Sequence, residues 1–459
     1  MKKYFNIAAL ALVAVSTLLM SSCKNEVDEI FDEDAVARLA KAQAQYIDIL
    51  TSNGGKWQLE YYANDEEPGY VYLMTFSTDG SVVISGMNKW ISYVKGGSSS
   101  SIGSQPVYGS ATSLWDVITD NGPVLSFNSY NPYFHLFADP YDIPDATGGG
   151  GMQDDSNDES GYGHEGDYEF NIMKFSGDTL YLSGKKYGID MIMTRVASTI
   201  DDQVYMNEVT AQADSFFHAK IPQVYINLPN GVRWIVKDGA TSILKIFREG
   251  ADEISTAETH NVIITHDGLS FMTPITLDGY VIQNFVRQAD GSLLCRDDQQ
   301  TTITADELSA IVSNSRFTWK MAQSGTGGVF AQLMSQVADE AKNFNTSTLQ
   351  EVQIAYLTAQ NSFSITFVLR RRNVNYKPTY YFTPDVLGDE QVKFNVDLNG
   401  DTWAQTFSEG CPSIKAFAQA LASMTFNLSA NSLLAPVNMT LTDAGNSANY
   451  MVWNLNELK

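Results

Sequence analysis

Apolar positions near the start of the chain follow the period of an α-helix. Between Asp34 and Asn53 they fall on a single stripe. Asp34 is a favourable N-cap residue, and Asn53-Gly54-Gly55 is a sequence that ends helices. We therefore predict one amphipathic helix from Ala35 to Leu50. Its apolar stripe consists of Val36, Leu39, Tyr46, Ile49 and Leu50.

After residue 55 the pattern changes to the period of strands. The segments 56–62, 70–76 and 81–85 alternate or cluster β-branched and aromatic residues, and Thr78-Asp79-Gly80 predicts a hairpin turn. Short strands at this spacing are typical of a barrel or a sandwich. Further strands are predicted at 123–127, 133–137, 168–175, 179–183 and 188–196.

Trp57 follows Gly55 at the start of the first predicted strand. This arrangement resembles the first strand of lipocalin-like barrels, in which a Trp closes the barrel floor. We therefore predict a lipocalin-like or barrel-like antiparallel β domain over residues 56–198. The resemblance also implies a ligand cavity inside the barrel.

Beyond residue 198 the pattern starts again with a helical segment, 198–217, and a second series of strands. Leu125-Ser126-Phe127 recurs as Leu269-Ser270-Phe271, and Trp57 and Trp234 each open a meander, which indicates a duplicated β unit. The last third mixes helices at 328–344 and 413–424 with a strand at 362–370 and a hairpin at 394–407 around Asn399-Gly400. The fold class is therefore mainly β, of the α+β type, with a larger mixed region of antiparallel strands and helices over residues 199–459.

The first 22 residues have the pattern of an export signal. Lys2 and Lys3 precede an apolar run, 7–20, and Ser21-Ser22-Cys23 ends it. The pattern resembles a bacterial lipoprotein signal, which is removed before a Cys that carries diacylglycerol and a further acyl chain such as palmitate. Each buried CH2 contributes about 0.8 kcal/mol, so such an anchor would hold firmly. An ordinary cleaved signal with a chance cysteine is the alternative.

An acidic leader, 24–34, follows Cys23. It resembles the surface-export signal of Bacteroidota lipoproteins, and a solvated acidic tether is the other interpretation. We predict that residues 23–55 comprise the lipid anchor, this leader and the amphipathic helix. The expected location is the extracellular side of the outer membrane, with the protein held there through its lipid.

Charge and cysteine content exclude several classes of function. With 53 acidic and 29 basic residues the formal net charge is −24, which disfavours nucleic-acid partners. Cys295 and Cys411 are far apart and no CxxC is present, so a zinc ribbon or redox motif is excluded. A disulfide between the two and a pair of free thiols both remain open.

No hydrolase motif is present among the chain's five histidines, because there is neither a GxSxG elbow nor an HExxH helix. Asp397 to Asp401 imitates a calcium loop, but Thr402 and Ser408 stand where glycine and glutamate are required. We expect no enzymatic activity and no cofactor.

The loop 139–167 is rich in glycine and acid, and its composition cannot build a core. We predict that it is mobile. It includes His164 and four carboxylates that could gather calcium, although their spacing matches no defined calcium loop. These carboxylates are Asp154, Asp155, Asp158 and Glu159.

Aromatic and polar residues alternate just before this loop. Rings stack on the apolar faces of sugars or peptides, while Asn, His and Asp orient a ligand through hydrogen bonds. The opposing interpretation is that Tyr133, His135 and Phe137 line a barrel interior. The candidate ligand-binding residues are Tyr130, Tyr133, His135, Asp139 and Tyr141.

Several motifs together resemble a Bacteroidota lipoprotein family known as domain of unknown function 4302. They are the Cys23 leader, the helix that runs into Gly55-Lys56-Trp57, Tyr130-Asn131-Pro132 with His135-Leu136-Phe137, and Gly166-Asp167-Tyr168-Glu169-Phe170 with Gly184-Lys185-Lys186. The resemblance implies a genetic context of TonB-dependent importers and SusD-like lipoproteins, and it transfers no catalytic residue.

We therefore expect a non-catalytic binding accessory of a TonB-dependent (SusC/SusD-like) nutrient uptake system, with a glycan, a peptide or a small apolar molecule as ligand. Two alternatives stay open. One is a surface hydrolase that uses a carboxylate pair in the acidic loop, and the other is an adhesin or structural surface protein.

Overall fold

The structure is a computed structural model, and it describes residues 34–96, 106–139, 164–217, 223–240 and 242–458. Cys23, residues 24–33 of the acidic leader and residues 140–163 of the acidic loop lie outside the described residues. Tyr141 and the four calcium candidates, Asp154, Asp155, Asp158 and Glu159, belong to that part of the loop, so its predicted mobility stays a prediction. Within the described ranges no helix is long and apolar enough to cross a membrane. The fold of these ranges is mainly antiparallel β, as predicted.

Helix α1 (Ala35–Thr51) begins where the sequence predicts. The Asp34 carboxylate accepts a hydrogen bond of 2.7 Å from the Ala37 N–H, which confirms it as the N-cap. Gly55, at φ 64°, carries the chain from the helix into the first strand, and a Cβ there would lie 2.1 Å from the Phe76 carbonyl oxygen. The glycine is therefore required by both its conformation and its close neighbour.

Barrel I is a closed antiparallel sheet of eight strands in which each strand pairs with the next and the last pairs with the first. This confirms the predicted barrel. Helix α2 (Lys89–Gly96) follows the third strand. The strands are β1 (Lys56–Tyr61), β2 (Tyr70–Phe76), β3 (Ser81–Asn88), β4 (Val107–Thr119), β5 (Pro123–Phe127), β6 (Glu169–Ser176), β7 (Thr179–Gly184) and β8 (Asp190–Arg195).

Helix α1 closes the floor of barrel I. The buried Trp57 indole donates a hydrogen bond of 2.9 Å to the Leu50 carbonyl at the end of the helix. The Arg195 guanidinium lies 4.2 Å from the Trp57 ring and donates to the carbonyls of Ser52 (2.8 Å) and Ile49 (3.0 Å). These bonds add to the local hydrogen bonds that the Ile49 and Ser52 carbonyls accept from Ser52 Oγ and the Gly55 N–H, so the end of the helix is held by barrel I as well as by its own residues.

Barrel II repeats the arrangement of a helix followed by a closed eight-stranded meander. Leu269-Ser270-Phe271 lies in its fifth strand, as Leu125-Ser126-Phe127 lies in the fifth strand of barrel I, whereas Trp57 and Trp234 lie in first and second strands respectively. The elements are α3 (Asp202–Phe217), β9 (Val224–Asn227), β10 (Arg233–Ala240), β11 (Ile243–Arg248), α4 (Glu253–Thr256), β12 (Glu258–Ile264), β13 (Gly268–Leu277), β14 (Tyr280–Arg287), β15 (Leu293–Cys295) and β16 (Thr302–Ala305).

Barrel III is a third antiparallel sheet, which closes through pairing of β17 with β26. Its helices α6 and α8 contribute buried side chains to the same core as the strands. The elements are α5 (Leu308–Val312), β17 (Phe317–Met321), β18 (Thr326–Gly327), α6 (Gly328–Asn345), β19 (Thr348–Leu357), β20 (Ser362–Arg371), β21 (Val374–Tyr376), β22 (Thr379–Gly388), β23 (Gln391–Asp397), α7 (Thr402–Phe407), α8 (Pro412–Ser423), β24 (Thr425–Ala430), β25 (Asn438–Asp443) and β26 (Tyr450–Leu458).

The hairpin predicted at 394–407 is wrong. Strand β23 ends at Asp397, and the chain then enters α7, whose N-cap Asp401 accepts a hydrogen bond of 2.7 Å from the Ala404 N–H. Asn399-Gly400 therefore makes a turn from strand to helix. The predicted boundary at residue 198 falls between β8 and α3, and residues 199–459 contain both barrel II and barrel III.

Barrels I and II meet through the outer face of β1 and helix α3. Lys56 forms an ion pair of 2.7 Å with Asp202, and the Tyr205 hydroxyl donates to Gln58 Oε1 at 2.7 Å. Glu60 is also buried on this face, and burial raises its pKa to about 7 even though Ser270 of barrel II hydrogen-bonds to it. These polar groups face away from both barrel interiors and lie beside an apolar cluster that the two barrels share, with Leu73 of β2, Met206 of α3 and Ile263 of β12 among its buried residues.

Candidate functional site

The segment Tyr130 to Asp139 lies at the mouth of barrel I, opposite the floor. The strand predicted at 133–137 is wrong, because the chain forms a 3-10 turn, His135–Ala138, instead. The Asn131 side chain starts this turn by accepting a hydrogen bond of 3.1 Å from the Tyr133 N–H. The residues that enter the barrel I core are consequently Phe134, Leu136 and Phe137, whereas Tyr133 and His135 are only half-buried.

Phe134 and Phe137 close the mouth of barrel I with aromatic packing. The Phe134 ring centroid lies 5.1 Å from that of Tyr61 and 5.0 Å from that of Phe127, and Phe137 lies 5.2 Å from Tyr61. Both phenylalanines are buried. Edge-to-face and tilted contacts at these distances stabilise the packing beyond area burial alone.

Three rings remain on the outer side of this plug. His135 lies between Tyr130, at 5.6 Å between ring centroids, and Tyr168, at 5.1 Å. Tyr130 is 65% exposed and Tyr168 is 43% exposed, so both side chains are accessible to a ligand from solvent. We call Tyr130, His135 and Tyr168 the rim stack.

The backbone uses both nitrogens of His135. Nδ1 accepts a hydrogen bond of 3.0 Å from the Asn131 N–H, and Nε2 lies 3.2 Å from the Phe127 carbonyl oxygen, so Nε2 carries the proton. Burial lowers the pKa of His135. The imidazole is therefore neutral near pH 7, and what it offers a ligand is its ring face.

The other candidate residues occupy different positions at the mouth. Tyr133 is half-buried, and its carbonyl accepts a hydrogen bond of 2.8 Å from the Tyr72 hydroxyl. Asp139 is half-buried at the end of the 3-10 turn. The sequence reasoning did not select Tyr168 as a site residue, although it lies within the Gly166-Asp167-Tyr168-Glu169-Phe170 motif.

His164 belongs to the wall of the mouth. It is fully buried, with Nδ1 at 2.5 Å from Glu67 Oε2 and its ring centroid 4.7 Å from that of Trp90. The Asn64 side chain donates a hydrogen bond of 2.9 Å to the His164 carbonyl. This end of the acidic loop is therefore fixed to barrel I by buried contacts, in place of the solvated loop expected there.

Asp167 fixes the same segment to the hairpin between β7 and β8. Its carboxylate accepts hydrogen bonds from the backbone N–H groups of Lys186 (2.8 Å) and Tyr187 (3.0 Å). Burial raises the pKa of Asp167 despite these bonds. At Gly166 a Cβ would lie 2.3 Å from the Tyr61 hydroxyl, so only glycine fits this close approach.

Metal and thiol chemistry find little support in the described part of the chain. No group of three or more His, Cys, Asp or Glu side chains is arranged there to hold a metal ion. Cys295 and Cys411 are both buried and free, so the disulfide alternative is wrong.

Comparison with known proteins identifies one family. A family model described as "Domain of unknown function (DUF4302)" matches residues 27–289. No curated protein matches the chain. Among solved structures, the H. pylori β clamp in complex with diflunisal aligns at 9% identity over 92% of this chain and 98% of that chain, with a TM-score of 0.11, which is too low to carry an argument.

Proposed function

The chain belongs to the family described as a domain of unknown function (DUF4302), and for this member we propose a non-catalytic role in ligand binding at the cell surface. In this proposal it is a lipoprotein of the outer membrane that serves a TonB-dependent (SusC/SusD-like) nutrient uptake system. The binding surface is the rim stack of barrel I.

The observation that carries the proposal is the exposure of two tyrosines beside a histidine whose nitrogens are both occupied. Tyr130 and Tyr168 lie on either side of His135, at centroid distances of 5.6 and 5.1 Å. Exposed rings in such a row suit the apolar faces of a ring-shaped ligand. Because His135 has no free nitrogen for proton transfer, the stack supports binding and offers no general base.

A glycan fits this surface better than the other ligand classes do. The interior of barrel I is filled by buried side chains such as Trp57, Tyr72 and Phe134, which leaves no support there for an internal apolar ligand. Flat, exposed rings at the rim instead favour a ligand bound from outside. Sugar rings present an apolar face and polar edges, which suits tyrosines with their hydroxyl groups.

The proposed location rests on the sequence alone. The export signal before Cys23 and the acidic leader behind it support a lipid anchor and display on the extracellular side, as in Bacteroidota lipoproteins. Globomycin, which blocks the lipoprotein signal peptidase, is expected to cause precursor to accumulate. Cys23→Ala is expected to release the protein from the outer-membrane fraction, and continued fractionation with that membrane would contradict the anchor.

The binding proposal is tested by a screen of neutral and acidic glycans with the purified protein, followed by calorimetry on the best ligand. Tyr168→Ala is expected to weaken binding about tenfold, the equivalent of ~1.4 kcal/mol, because a stacking face is lost. Tyr168→Phe keeps the face and should bind nearly as well as the native protein. Tyr381→Ala in barrel III, far along the chain from the rim, is the matched control.

Two results would overturn the proposal. One is a ligand whose affinity does not change in Tyr168→Ala and Tyr130→Ala while both variants keep the native melting temperature. The other is conversion of the bound glycan to product, measured by chromatography after prolonged incubation. The second result would also show that the chain carries a catalytic group outside the rim stack.

A further inference from the structure

One end of barrel III carries two exposed rings and one half-buried ring, Tyr376, from three separate elements. Trp403 of α7 is 43% exposed, and its ring centroid lies 5.2 Å from that of Tyr376 on β21. Phe344, in the last turn of α6, is 46% exposed. The buried Phe407 ring lies beneath them, 5.4 Å from Phe344 and 6.2 Å from Trp403. Contiguous exposed apolar surface on a folded domain is a mark of an interaction site.

The hairpin from β20 to β21 adds positive charge to the same surface. Leu369 pairs with Tyr376, and Arg371 pairs with Val374. Residues directly opposite each other in an antiparallel pair share a face, and every second residue of a strand shares that face as well. Arg371 and the exposed Val374 therefore lie on the face of the hairpin that carries Tyr376.

The cationic side chains of this hairpin form no ion pair within the described part of the chain, although Arg370 Nε donates a hydrogen bond of 3.1 Å to the Arg372 carbonyl. Arg370, Arg371, Arg372 and Lys377 are all exposed, and none forms an ion pair with a carboxylate of the described residues. The chain as a whole has a formal net charge of −24. Four cationic side chains without ion pairs fall within eight residues, so the surface charge is locally positive on a chain that is negative overall. A local positive charge of this kind favours an anionic ligand.

We propose that Arg371, Val374, Tyr376, Trp403 and Phe344 form a second binding site, the Arg371 patch, for an acidic polysaccharide. A guanidinium group binds a carboxylate or a sulfate through two parallel hydrogen bonds, and aromatic rings stack on the apolar faces of sugars. A uronic-acid or sulfated polymer presents both features at every repeat. The site is independent of the rim stack, because it lies on a different barrel and uses different residues.

An anionic membrane fits this surface less well. The tip of the hairpin is Arg372-Asn373, which offers no apolar side chain to insert between lipids. A chain of charge −24 is also repelled as a whole from an anionic bilayer, whereas a narrow polymer needs to approach only the local cationic surface.

The experiment is affinity electrophoresis of the full mature protein in gels that contain polygalacturonate, dextran sulfate or neutral dextran. We expect retardation by at least one of the two acidic polymers and none by neutral dextran. Arg371→Glu should weaken binding about tenfold or more. Arg371→Lys keeps the positive charge but cannot form two parallel hydrogen bonds to one anionic group, so it should weaken binding less. Arg316→Glu changes the charge equally at another exposed position of barrel III and is the matched control.

Trp403→Ala should weaken binding with little change in its dependence on salt, because it removes stacking and leaves the charges in place. Raising NaCl from about 50 mM to about 500 mM should remove most of the retardation of the native protein. Tyr168→Ala should bind the acidic polymer as the native protein does, which separates this site from the rim stack.

Three outcomes would overturn the proposal. The first is retardation by neither acidic polymer. The second is equal loss of binding in Arg371→Glu and Arg316→Glu, which would show a general effect of charge. The third is binding to vesicles of phosphatidylcholine with about a third phosphatidylglycerol that depends on Arg371 and exceeds binding to both polymers, which would assign the patch to a membrane surface.

Discussion

Barrels I and II share a helix followed by an eight-stranded meander, but different kinds of side chain fill them. The interior of barrel I is the more aromatic of the two, with Trp57, Tyr61, Tyr72, Phe76, Trp115, Phe127, Phe134, Phe137 and Phe170 buried there among aliphatic residues. The interior of barrel II is largely aliphatic, with Ile226, Leu244, Ile246, Val262, Leu269, Ile282 and Ile303 among its buried residues. The same strand order therefore tolerates two solutions to filling a barrel.

The difference teaches how the rim stack arises. In barrel I two of the filling rings, Phe134 and Phe137, come from a loop that enters through the mouth. The neighbours of these rings in sequence, Tyr130 and His135, are thereby held at the rim. In barrel II the core residues that do not belong to its own strands are Phe216 and Phe217, at the end of α3, and Leu434, which lies between β24 and β25 of barrel III. A loop that fills a barrel can carry a surface site on its other side.

The largest expected effect comes from removing a ring of the mouth plug. Phe134→Ala should lower the free energy of unfolding by about 3–5 kcal/mol, because the cavity would be enclosed by rings that cannot follow. Ile282→Val in barrel II should cost only about 0.5–1.5 kcal/mol. Urea unfolding of both variants gives the comparison, and equal losses would show that the plug is not part of the barrel I core.

The junction between the two barrels should depend on pH through Glu60. Burial raises the folded-state pKa of Glu60 from its usual 4.5 to about 7, so the folded state holds the proton more tightly than the unfolded state does. This contribution is fully present below pH 4.5 and is lost as pH rises to about 7. A shift of this size corresponds to roughly 3 kcal/mol.

Glu60→Gln should therefore remove this part of the pH dependence and raise stability at pH 8 relative to the native protein. Glu66→Gln, at an exposed position of the loop between β1 and β2, is the control. Unfolding measured from pH 4 to pH 8 gives both profiles. Parallel profiles for the native protein and Glu60→Gln would contradict the assignment of the proton to this buried carboxyl.

A smaller effect is expected where two backbones approach within barrel II. A Cβ at Gly268 would lie 1.9 Å from the Phe285 carbonyl oxygen, so Gly268→Ala must move a strand. We expect a loss of about 1–3 kcal/mol. At Gly279 an added Cβ would contact no other atom, and only the φ of 88° is unfavourable for alanine. Gly279→Ala should therefore lower the free energy of unfolding by about 1 kcal/mol. A larger loss at Gly279, measured by thermal unfolding, would contradict this ordering.

The smallest expected effect tests what the barrels share. Asp34 caps α1 and Asp201 caps α3, each by accepting a backbone hydrogen bond from the third residue beyond it. Asp34→Ala and Asp201→Ala should each cost about 1 kcal/mol. Asp48→Ala, exposed near the end of α1, should be neutral. Helicity and melting temperature are measured for all three variants. An unchanged melting temperature in Asp34→Ala would show that this cap does not contribute to the stability of barrel I.

Local patterns in the sequence predicted much of the fold. The cap at Asp34, the turn at Thr78-Asp79-Gly80 and the helix that begins at Pro412 depend on residues within a few positions of each other, and all three are confirmed. The hairpin at Asn399-Gly400 failed because Asp401, just beyond it, is an equally strong helix start. The closure of barrel III could not be predicted, since β17 and β26 pair across more than a hundred residues and neither strand signals its partner.

The mouth of barrel I shows why only part of the site could be predicted. Tyr130 and His135 were selected because rings and polar groups alternate there. The same stretch also has Phe134 and Phe137 three positions apart, which is the spacing of a 3-10 turn. Whether it forms a strand or a turn depends on packing inside the barrel, which the local sequence does not show. Tyr168 lies immediately before β6, and nothing in the neighbouring sequence reveals that the His135 ring centroid lies 5.1 Å from that of Tyr168.

The bonds from Arg195 to the end of α1 have a consequence for the order of events in folding. They join residues 143 and 146 positions apart, so the first helix of the described chain completes its last turn with a side chain from the eighth strand. A chain that emerges from its N-terminus must therefore hold α1 without these partners until the whole of barrel I has been made. The conformational entropy lost on closing so long a loop must be paid before the contacts at its ends form. Topologies with many such long-range contacts therefore fold slowly. During that interval the apolar stripe of α1 and the unpaired edge of β1 are the surfaces that a chaperone would need to shield.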